Sequence, residues 1–340
     1  MEKLLTVVVP TYNIEKYIEM CLDSFAIREA EDRLEVLVVN DGSSDSSPEL
    51  ARAYEREYPA IFRVIDKENG GHGSAINTGL REAAGKYFKV VDGDDWVDKR
   101  AFLYLLKVLE ESDSDIVASN YCWVHHLTME KKPERLPFQG VEYEREYDFS
   151  EIADKTFIKM HSMTFKTQVL RDAGLWIDEH CYYVDLEYVI LPISHVRTVT
   201  FIPDIVYMYR IGMQGQSMSL ENMQKNRKQY HRVFQRLLQF YRECTGNGCP
   251  EANQQYIERA LGLAYASYFK ILLSFPFCTK VWKYMARYDK RLKREYPKIY
   301  ESVENKAVRL LRASGYVLYP AAQAALGVQR RMKKKKGLNL

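Results

Sequence analysis

Three carboxylates stand within four residues at Asp92-Gly93-Asp94-Asp95. Held so close, they repel one another unless a cation or hydrogen bonds compensate. Hard carboxylate oxygens suit Mg2+ or Mn2+, ions that bind through one or two protein carboxylates plus substrate phosphates. An EF-hand does not fit, because the twelfth position counted from Asp92 is Leu103 and not Glu. A plainer account of the same residues is a strand-to-helix turn with Asp95 or Asp98 capping the helix.

Three further polar turns accompany the acids. They are Pro10-Thr11-Tyr12-Asn13, Asn40-Asp41-Gly42-Ser43-Ser44-Asp45 and Glu68-Asn69-Gly70-Gly71-His72-Gly73-Ser74. Turn and cap preferences explain any one of them alone. Gly70-Gly71-His72-Gly73 lets backbone approach a ligand closely and opens a helix, whose N-terminus favours anions. It lacks the spacing of a dinucleotide fingerprint and the lysine of a P-loop. His72 either points into a site or caps the turn. Further on, Tyr182-Tyr183-Val184-Asp185-Leu186-Glu187-Tyr188 sets two acids among aromatic rings at a predicted helix start. Such an acid serves either as a general base or as a helix cap.

The elements that must carry these turns follow from periodicity. Leu4–Val9, Leu34–Val39, Ile61–Ile65 and Tyr87–Val91 are short continuous apolar runs. Helical spacing follows over Ile14–Phe25, over Pro48–Tyr58, from about Ser74 and over Lys99–Glu110. Buried runs alternating with helices predict an α/β fold with a doubly wound, mainly parallel sheet. In such a sheet ligands bind outside the carboxyl ends of the strands, and all four polar turns follow strands there. Ile116–Val124 predicts another strand, 131–148 a polar loop, and 167–172 and 183–191 helices. From Leu220 the pattern is helical, broken near Gly246-Asn247-Gly248 and Pro276. A boundary near 218 separates residues 1–218, themselves divided as 1–115 and 116–218, from a helical region, 219–340.

Composition narrows the class. In 340 residues, 49 Lys and Arg face 46 Asp and Glu, a net +3 too balanced for a nucleic-acid binder. The chain closes on a basic run, Arg330-Arg331-Met332-Lys333-Lys334-Lys335-Lys336, which is either a solvated tail or a contact for an anionic membrane surface. Six scattered cysteines lack metal-ligand spacing and indicate a reducing compartment; only Cys244 and Cys249, flanking a Gly-rich turn, are spaced to bridge, and free thiols are the favoured reading. No signal peptide precedes the first strand, and Lys270 and Pro276 interrupt the most lipid-like stretch, so no membrane span is expected.

Taken together, Val7-Val8-Val9-Pro10-Thr11-Tyr12-Asn13, Val39-Asn40-Asp41-Gly42-Ser43-Ser44-Asp45, Asn69-Gly70-Gly71 and Asp92-Gly93-Asp94-Asp95 resemble the family 2 glycosyltransferases of the GT-A fold, in order and in spacing. The resemblance is strong over residues 4–110 and looser over 160–218. It implies that Pro10, Thr11, Tyr12 and Asn13 line a base and ribose pocket, with Asp41 accepting a hydrogen bond from the nucleobase imide. Asn69, Gly70 and Gly71 would face the donor, with Asn77 nearby. Asp92 and Asp94 look like the family's D-x-D pair for Mn2+ or Mg2+, Asp94 being the direct ligand, and Asp95 would face the donor sugar. Asp185 holds the place of the acid that deprotonates the acceptor hydroxyl, with Glu187 in reserve. Tyr209, Arg210 and Ser217 resemble a segment that closes over the diphosphate.

The implied reaction is direct displacement with inversion, moving one sugar from a nucleotide-diphosphate sugar, by analogy a UDP-sugar, to a glycan or lipid-linked acceptor. Cell-envelope or exported polysaccharide synthesis at the cytoplasmic face of a membrane is the implied setting. Departures from the family pattern are Ile76 in place of an arginine, Val184 in place of an acid, and no histidine after Tyr209-Arg210. Gln168-Val169-Leu170-Arg171 is followed by Asp172, so no Q-x-x-R-W motif of a processive synthase is present. Two other classes compete. A nucleotidyltransferase would carry a basic glycine-rich loop after the first strand, which Pro10–Asn13 is not. A non-catalytic nucleotide-sugar-binding module draws support only from Ile76 and Val184.

Overall fold

A computed structural model of the protein describes residues 3–134, 138, 140–213, 216–217 and 219–335, with side chains described as far as residue 327. The chain forms two compact units, Met1–Ile211 and Gly212–Leu340.

The first unit is built on one mixed sheet with strand order β3-β2-β1-β4-β9-β6-β10-β5. Its strands are β1 (Lys3–Thr11), β2 (Leu34–Asn40), β3 (Phe62–Asp66), β4 (Gly85–Val90), β5 (Trp96–Val97), β6 (Ile116–His125), β7 (Lys131–Pro133), β8 (Glu146–Asp148), β9 (Met163–Lys166) and β10 (Thr198–Ile211). Its helices are α1 (Ile18–Asp23), α2 (Ser47–Glu57), α3 (His72–Glu82), α4 (Lys99–Glu111), α5 (Thr167–Asp172) and α6 (Asp185–Ile190). The first four strands pair in parallel, with Thr11 opposite Asn40 and Asn40 opposite Asp66. Their carboxyl ends therefore share one edge. On one face of these strands Val7, Val9, Val36 and Val38 are fully buried with Leu22 of α1, Phe25 just after it, and Phe102 and Leu105 of α4. Burying such side chains contributes about 1.5–3 kcal/mol each.

The mainly parallel expectation holds beyond these four strands, interrupted only by short antiparallel ones. Short β9 inserts antiparallel between β4 and β6, so β6 again points the way of β4, and β10 runs parallel to β6. The C-terminal end of β10 thus returns to the edge where β1, β2 and β4 end. The polar stretch 131–148 carries β7 and β8, which pair antiparallel with β6 and β10. Lys131-Lys132-Pro133 has no apolar period, and backbone pairing at the sheet margin makes it a strand.

Lys89, fully buried in β4, donates to the carbonyls of His161 and Met163 at 3.0 Å each. Burial pulls its amine down to about 7, so the two carbonyls hold it without a counter-charge. This ties the segment ahead of β9 to the central sheet.

The second unit is helical: α7 (Leu220–Lys225), α8 (Arg227–Gly246), α9 (Glu251–Leu273), α10 (Thr279–Glu295), α11 (Pro297–Glu301), α12 (Lys306–Ala313) and α13 (Tyr319–Lys335). Tyrosines span its interior, and several pair an apolar ring with a hydrogen-bonded hydroxyl. Tyr230 donates to the Ala264 carbonyl at 2.9 Å and Tyr265 to Asp289 at 2.5 Å. Arg312 clasps Asp289 at 2.8 Å with both side chains nearly buried, joining α12 to α10. Among the described residues no helix is long and apolar enough to cross a membrane. All six cysteines are free thiols.

Candidate active site

Three turns are laced together at the shared strand edge. Asn13, at φ +52°, accepts from Ser44 N at 2.8 Å, and its own N–H donates to Ser43 Oγ at 3.1 Å. The turns after β1 and β2 are thereby joined. Asp41 is buried and joins the next pair. Its Oδ1 accepts from Gly70 N at 2.8 Å and Lys67 Nζ at 2.7 Å, its Oδ2 accepts from Gly71 N at 2.7 Å, and Asn69 Nδ2 donates to its carbonyl at 2.9 Å. Asp41 therefore anchors the glycine turn, an occupation the sequence did not foreshadow. Gly71 sits at φ +85°, a conformation glycine adopts without steric cost, and α3 starts directly after it at His72, two residues before the expected Ser74. Thr11 is buried, Pro10 half-buried, and Tyr12 is 51% exposed, so of this quartet Tyr12 offers the free ring.

The acidic turn adjoins the first of these. A Cβ on Gly93 would stand 2.3 Å from Ile14 Cδ1 and 3.1 Å from the Pro10 carbonyl, so a larger residue here would have to displace the Ile14 side chain. Asp95 is 1% exposed, and both its oxygens are engaged by β10: Oδ1 accepts from Arg210 N at 2.7 Å and Oδ2 from Tyr207 OH at 2.6 Å. The same Tyr207 hydroxyl accepts from Asp92 N at 3.2 Å. Arg210 Nε donates to the Asp94 carbonyl at 2.8 Å, and its guanidinium lies over the rings of Trp96 and Tyr17 at 4.6 and 5.1 Å. Asp95 and Arg210 thus hold the turn from within, while Asp92 and Asp94 stay partly open. Asp98, not Asp95, caps α4, accepting from Ala101 N at 3.0 Å.

Charge is unevenly compensated across the turn. His72 Nε2 donates to Asp92 Oδ1 at 2.7 Å, and the two side chains keep 32% and 25% of their surface, a pair on a wall rather than in the core. Burial works against the charge on each, but mutual attraction outweighs it, so the His72 imidazole is raised and the Asp92 carboxyl lowered. Asp94 has no such partner; burial first, and then the Asp92 charge, lift it to about 6. Asp95 is lifted well above the carboxylate range by burial and by Asp94 and Asp92.

Asp185 comes from the other half of the unit. Asn77 accepts from Ile177 N and donates to the Ile177 carbonyl, both at 2.9 Å, and His180 N donates to the Gly70 carbonyl at 2.5 Å. Asn77 is buried, so it fastens the 177–183 loop against α3 rather than standing open beside the glycine turn. The loop turns through φ +51° at His180 and +68° at Tyr183 before Asp185 opens α6. The Asp185 side chain reaches solvent while protein mass crowds round it. That desolvation raises its carboxyl, the His72 charge opposes the rise, and Asp92 adds to it. Glu187 is fully buried and accepts from Asp178 N at 2.7 Å, which removes it as an alternative.

Two residues beneath the acids gave little sign in the sequence. His161, pulled to about 4 by burial, is a neutral ring 4.3 Å from Tyr209 and 4.9 Å from Tyr207. Tyr207 braces two of the three acids, and its only sequence signal is the two-residue alternation with Tyr209. Tyr207→Phe leaves Asp95 Oδ2 and Asp92 N without their partner, a loss of about 1–3 kcal/mol. The expected result is a fall in turnover of about tenfold or more with a lower melting temperature, measured by product release and thermal denaturation on one preparation.

The donor set fits a hard divalent cation. Among the described residues no three His, Cys, Asp or Glu side chains form a closed cage. Two partly open carboxylates, one lifted by burial and by the neighbouring Asp92 charge, match an ion whose remaining ligands are phosphate oxygens and water. Asp92 and Asp94 are the residues that would hold it.

The profile of the family described as Glycosyl transferase family 2 matches residues 6–176. Over 121 residues the chain is 41% identical to the Bacillus subtilis glycosyltransferase EpsJ, a match spanning 36% of this chain and 35% of EpsJ. It is 28% identical over 211 residues to the Staphylococcus epidermidis teichoic acid poly(glycerol phosphate) polymerase, spanning 61% of this chain and 28% of that protein. Its fold is similar to that of S. aureus TarS residues 1–349 in complex with UDP-GlcNAc, at TM-score 0.64 and 17% identity, covering 98% of this chain and 92% of that one.

Proposed function

The chain belongs to the family 2 glycosyltransferases, and from that membership we propose that it moves one sugar, with inversion, from a UDP-sugar to a hydroxyl of a glycan or lipid-linked acceptor. Residues 1–218 are the catalytic part in this proposal, 1–115 for the donor and 116–218 for the acceptor, and 219–340 are the appendage. The work is the building of a cell-envelope polysaccharide, which the likeness to a teichoic acid polymerase supports, and its proposed place is the inner face of a membrane. The observation that carries the proposal is the meeting of the Asp92–Asp95 turn, the laced donor-side turns and Asp185 at one strand edge.

The nucleobase and ribose lie against Pro10, Thr11, Tyr12 and Asn13, where Tyr12 offers an exposed ring. Asp41, Asn69, Gly70 and Gly71 shape the donor-facing turn. Asp95, Tyr207 and Arg210 fix the backbone that carries Asp92 and Asp94. Asp92 and Asp94 would hold a Mg2+ or Mn2+ ion, which would supply positive charge to the diphosphate leaving group. Asp185 takes the acceptor hydroxyl proton as the new glycosidic bond forms and the bond from anomeric carbon to phosphate oxygen breaks. No covalent enzyme intermediate is needed, and positioning contributes much of the remaining rate.

The test is turnover of a panel of nucleotide-sugars by the purified protein, with Mn2+ or with EDTA. Metal-dependent consumption of a UDP-sugar is expected. Consumption of no donor in either condition would sink the proposal in favour of a binding module.

A further inference from the structure

The overall +3 conceals a separation of charge. Residues 1–211 hold 24 Lys and Arg against 38 Asp and Glu, whereas residues 212–340 hold 25 against 8. Within the helical unit the acids are also unevenly placed. Neither 259–288 nor 305–340 contains a single Asp or Glu.

These two acid-free stretches meet in the fold. The loop between α9 and α10 and the loop between α12 and α13 are held together by Trp282 Nε1 donating to the Tyr316 carbonyl at 2.9 Å, and by Gln323 donating to the Phe275 carbonyl. The Tyr319 ring, fully buried, lies 6.0 Å from Phe277 and 6.5 Å from Trp282. On this base the loops leave Phe277 55%, Val317 71% and Leu318 38% exposed. Lys280 and Lys283 stand at the start of α10, beside Phe277 in the chain. Exposed apolar side chains on two neighbouring loops, with basic residues and no acids in the segments that carry them, have one complementary partner. Acyl chains accept the apolar tip, and anionic headgroups accept the surrounding lysines and arginines. A nucleic acid would match the charge but not the aliphatic pair Val317 and Leu318, which offers no ring for a base to stack on.

We propose that the Phe277 and Val317–Leu318 loops form a docking tip that inserts into the interface of a bilayer containing anionic lipid. This deepens the lipid-linked acceptor reading above but stands on the helical unit alone, independent of donor chemistry. The basic run at 330–336 adds attraction and is not the docking element.

The experiment is flotation of the full chain with phosphatidylcholine vesicles, with and without phosphatidylglycerol. Companion samples are Phe277→Ser/Val317→Ser, deletion of 329–340, and Val317→Trp read by fluorescence. Binding to anionic vesicles is expected to fall at least about tenfold in the double substitution, and the emission of Val317→Trp is expected to shift to the blue on anionic vesicles. UDP-sugar hydrolysis without vesicles should be unchanged in the double substitution, so a failed donor assay and a failed docking assay are read separately. No vesicle binding by the unaltered chain would overturn the proposal. So would loss on tail deletion with none in the double substitution, an unshifted emission from vesicle-bound Val317→Trp, or association of copies in place of vesicle binding.

Discussion

Asp94→Ala is expected to lower sugar transfer by about a thousandfold or more, which is the several kcal/mol of charge stabilisation that a divalent cation held at this turn would contribute. The physical ground is the asymmetry among the three acids. Asp92 is already answered by His72, and Asp95 is committed to Tyr207 and Arg210. The Asp94 carboxyl is lifted to about 6 because burial and the Asp92 charge outweigh the pull of Arg210 and His72, and Asp94 uses its backbone rather than its side chain to hold Arg210. Its replacement by alanine keeps every bond that fixes the turn, so the folded chain should melt at or above the parent temperature, relieved of one repulsion. Weakened Mn2+ binding, followed by titration calorimetry with UDP present, is expected to accompany the kinetic loss. Transfer that survives at the parent rate would remove Asp94 from the metal site.

Asp185→Asn should cost about a hundred- to ten-thousandfold in turnover, the range over which a positioned base acts. Donor binding should be nearly unchanged, because the substitution keeps shape and removes only the proton acceptor. The pH profile carries a signature that a structural role would not produce. Desolvation holds the Asp185 carboxyl above its ordinary range. A base works only when deprotonated, so the acid limb of kcat/KM in the parent should fall away at a pH above that of a solvated carboxylate. In Asp185→Asn the remaining activity should lose that limb. Glu187→Gln, at a buried residue bonded to Asp178 N, should instead lower the melting temperature and leave the limb in place.

Much of this site is legible in the sequence because its donor side is local. Each of the first four strands is a short apolar run, and its polar turn follows within a few residues, so position along the chain predicts position in space. Asn13, Asp41 and Gly71 fall on one edge for that reason alone. Roles that depend on distant pairing are not legible. Asp41, a free acceptor by resemblance, is occupied by the glycine turn 29 and 30 residues away. Asp95 faces β10, because Tyr207 and Arg210 come from 112 and 115 residues downstream. Neither partner has a local pattern that announces it, and strands β7 and β8 are hidden for the same reason. The charge separation is present in the sequence as a count, but acquires meaning only when two loops 40 residues apart, at Phe277 and Val317, share one buried tyrosine.

The bracing of the acidic turn by β10 also sets a time of assembly. A ribosome adds about 5–20 residues each second. The strands that shape the donor side are therefore complete on the order of ten seconds before Tyr207 and Arg210 have been synthesised. Until then the turn carrying Asp92, Asp94 and Asp95 is without its bonds to Tyr207 and Arg210. A chain that ends before β10 lacks the partners that fix this turn, so a protein truncated there is expected to show no sugar transfer, as followed by donor consumption.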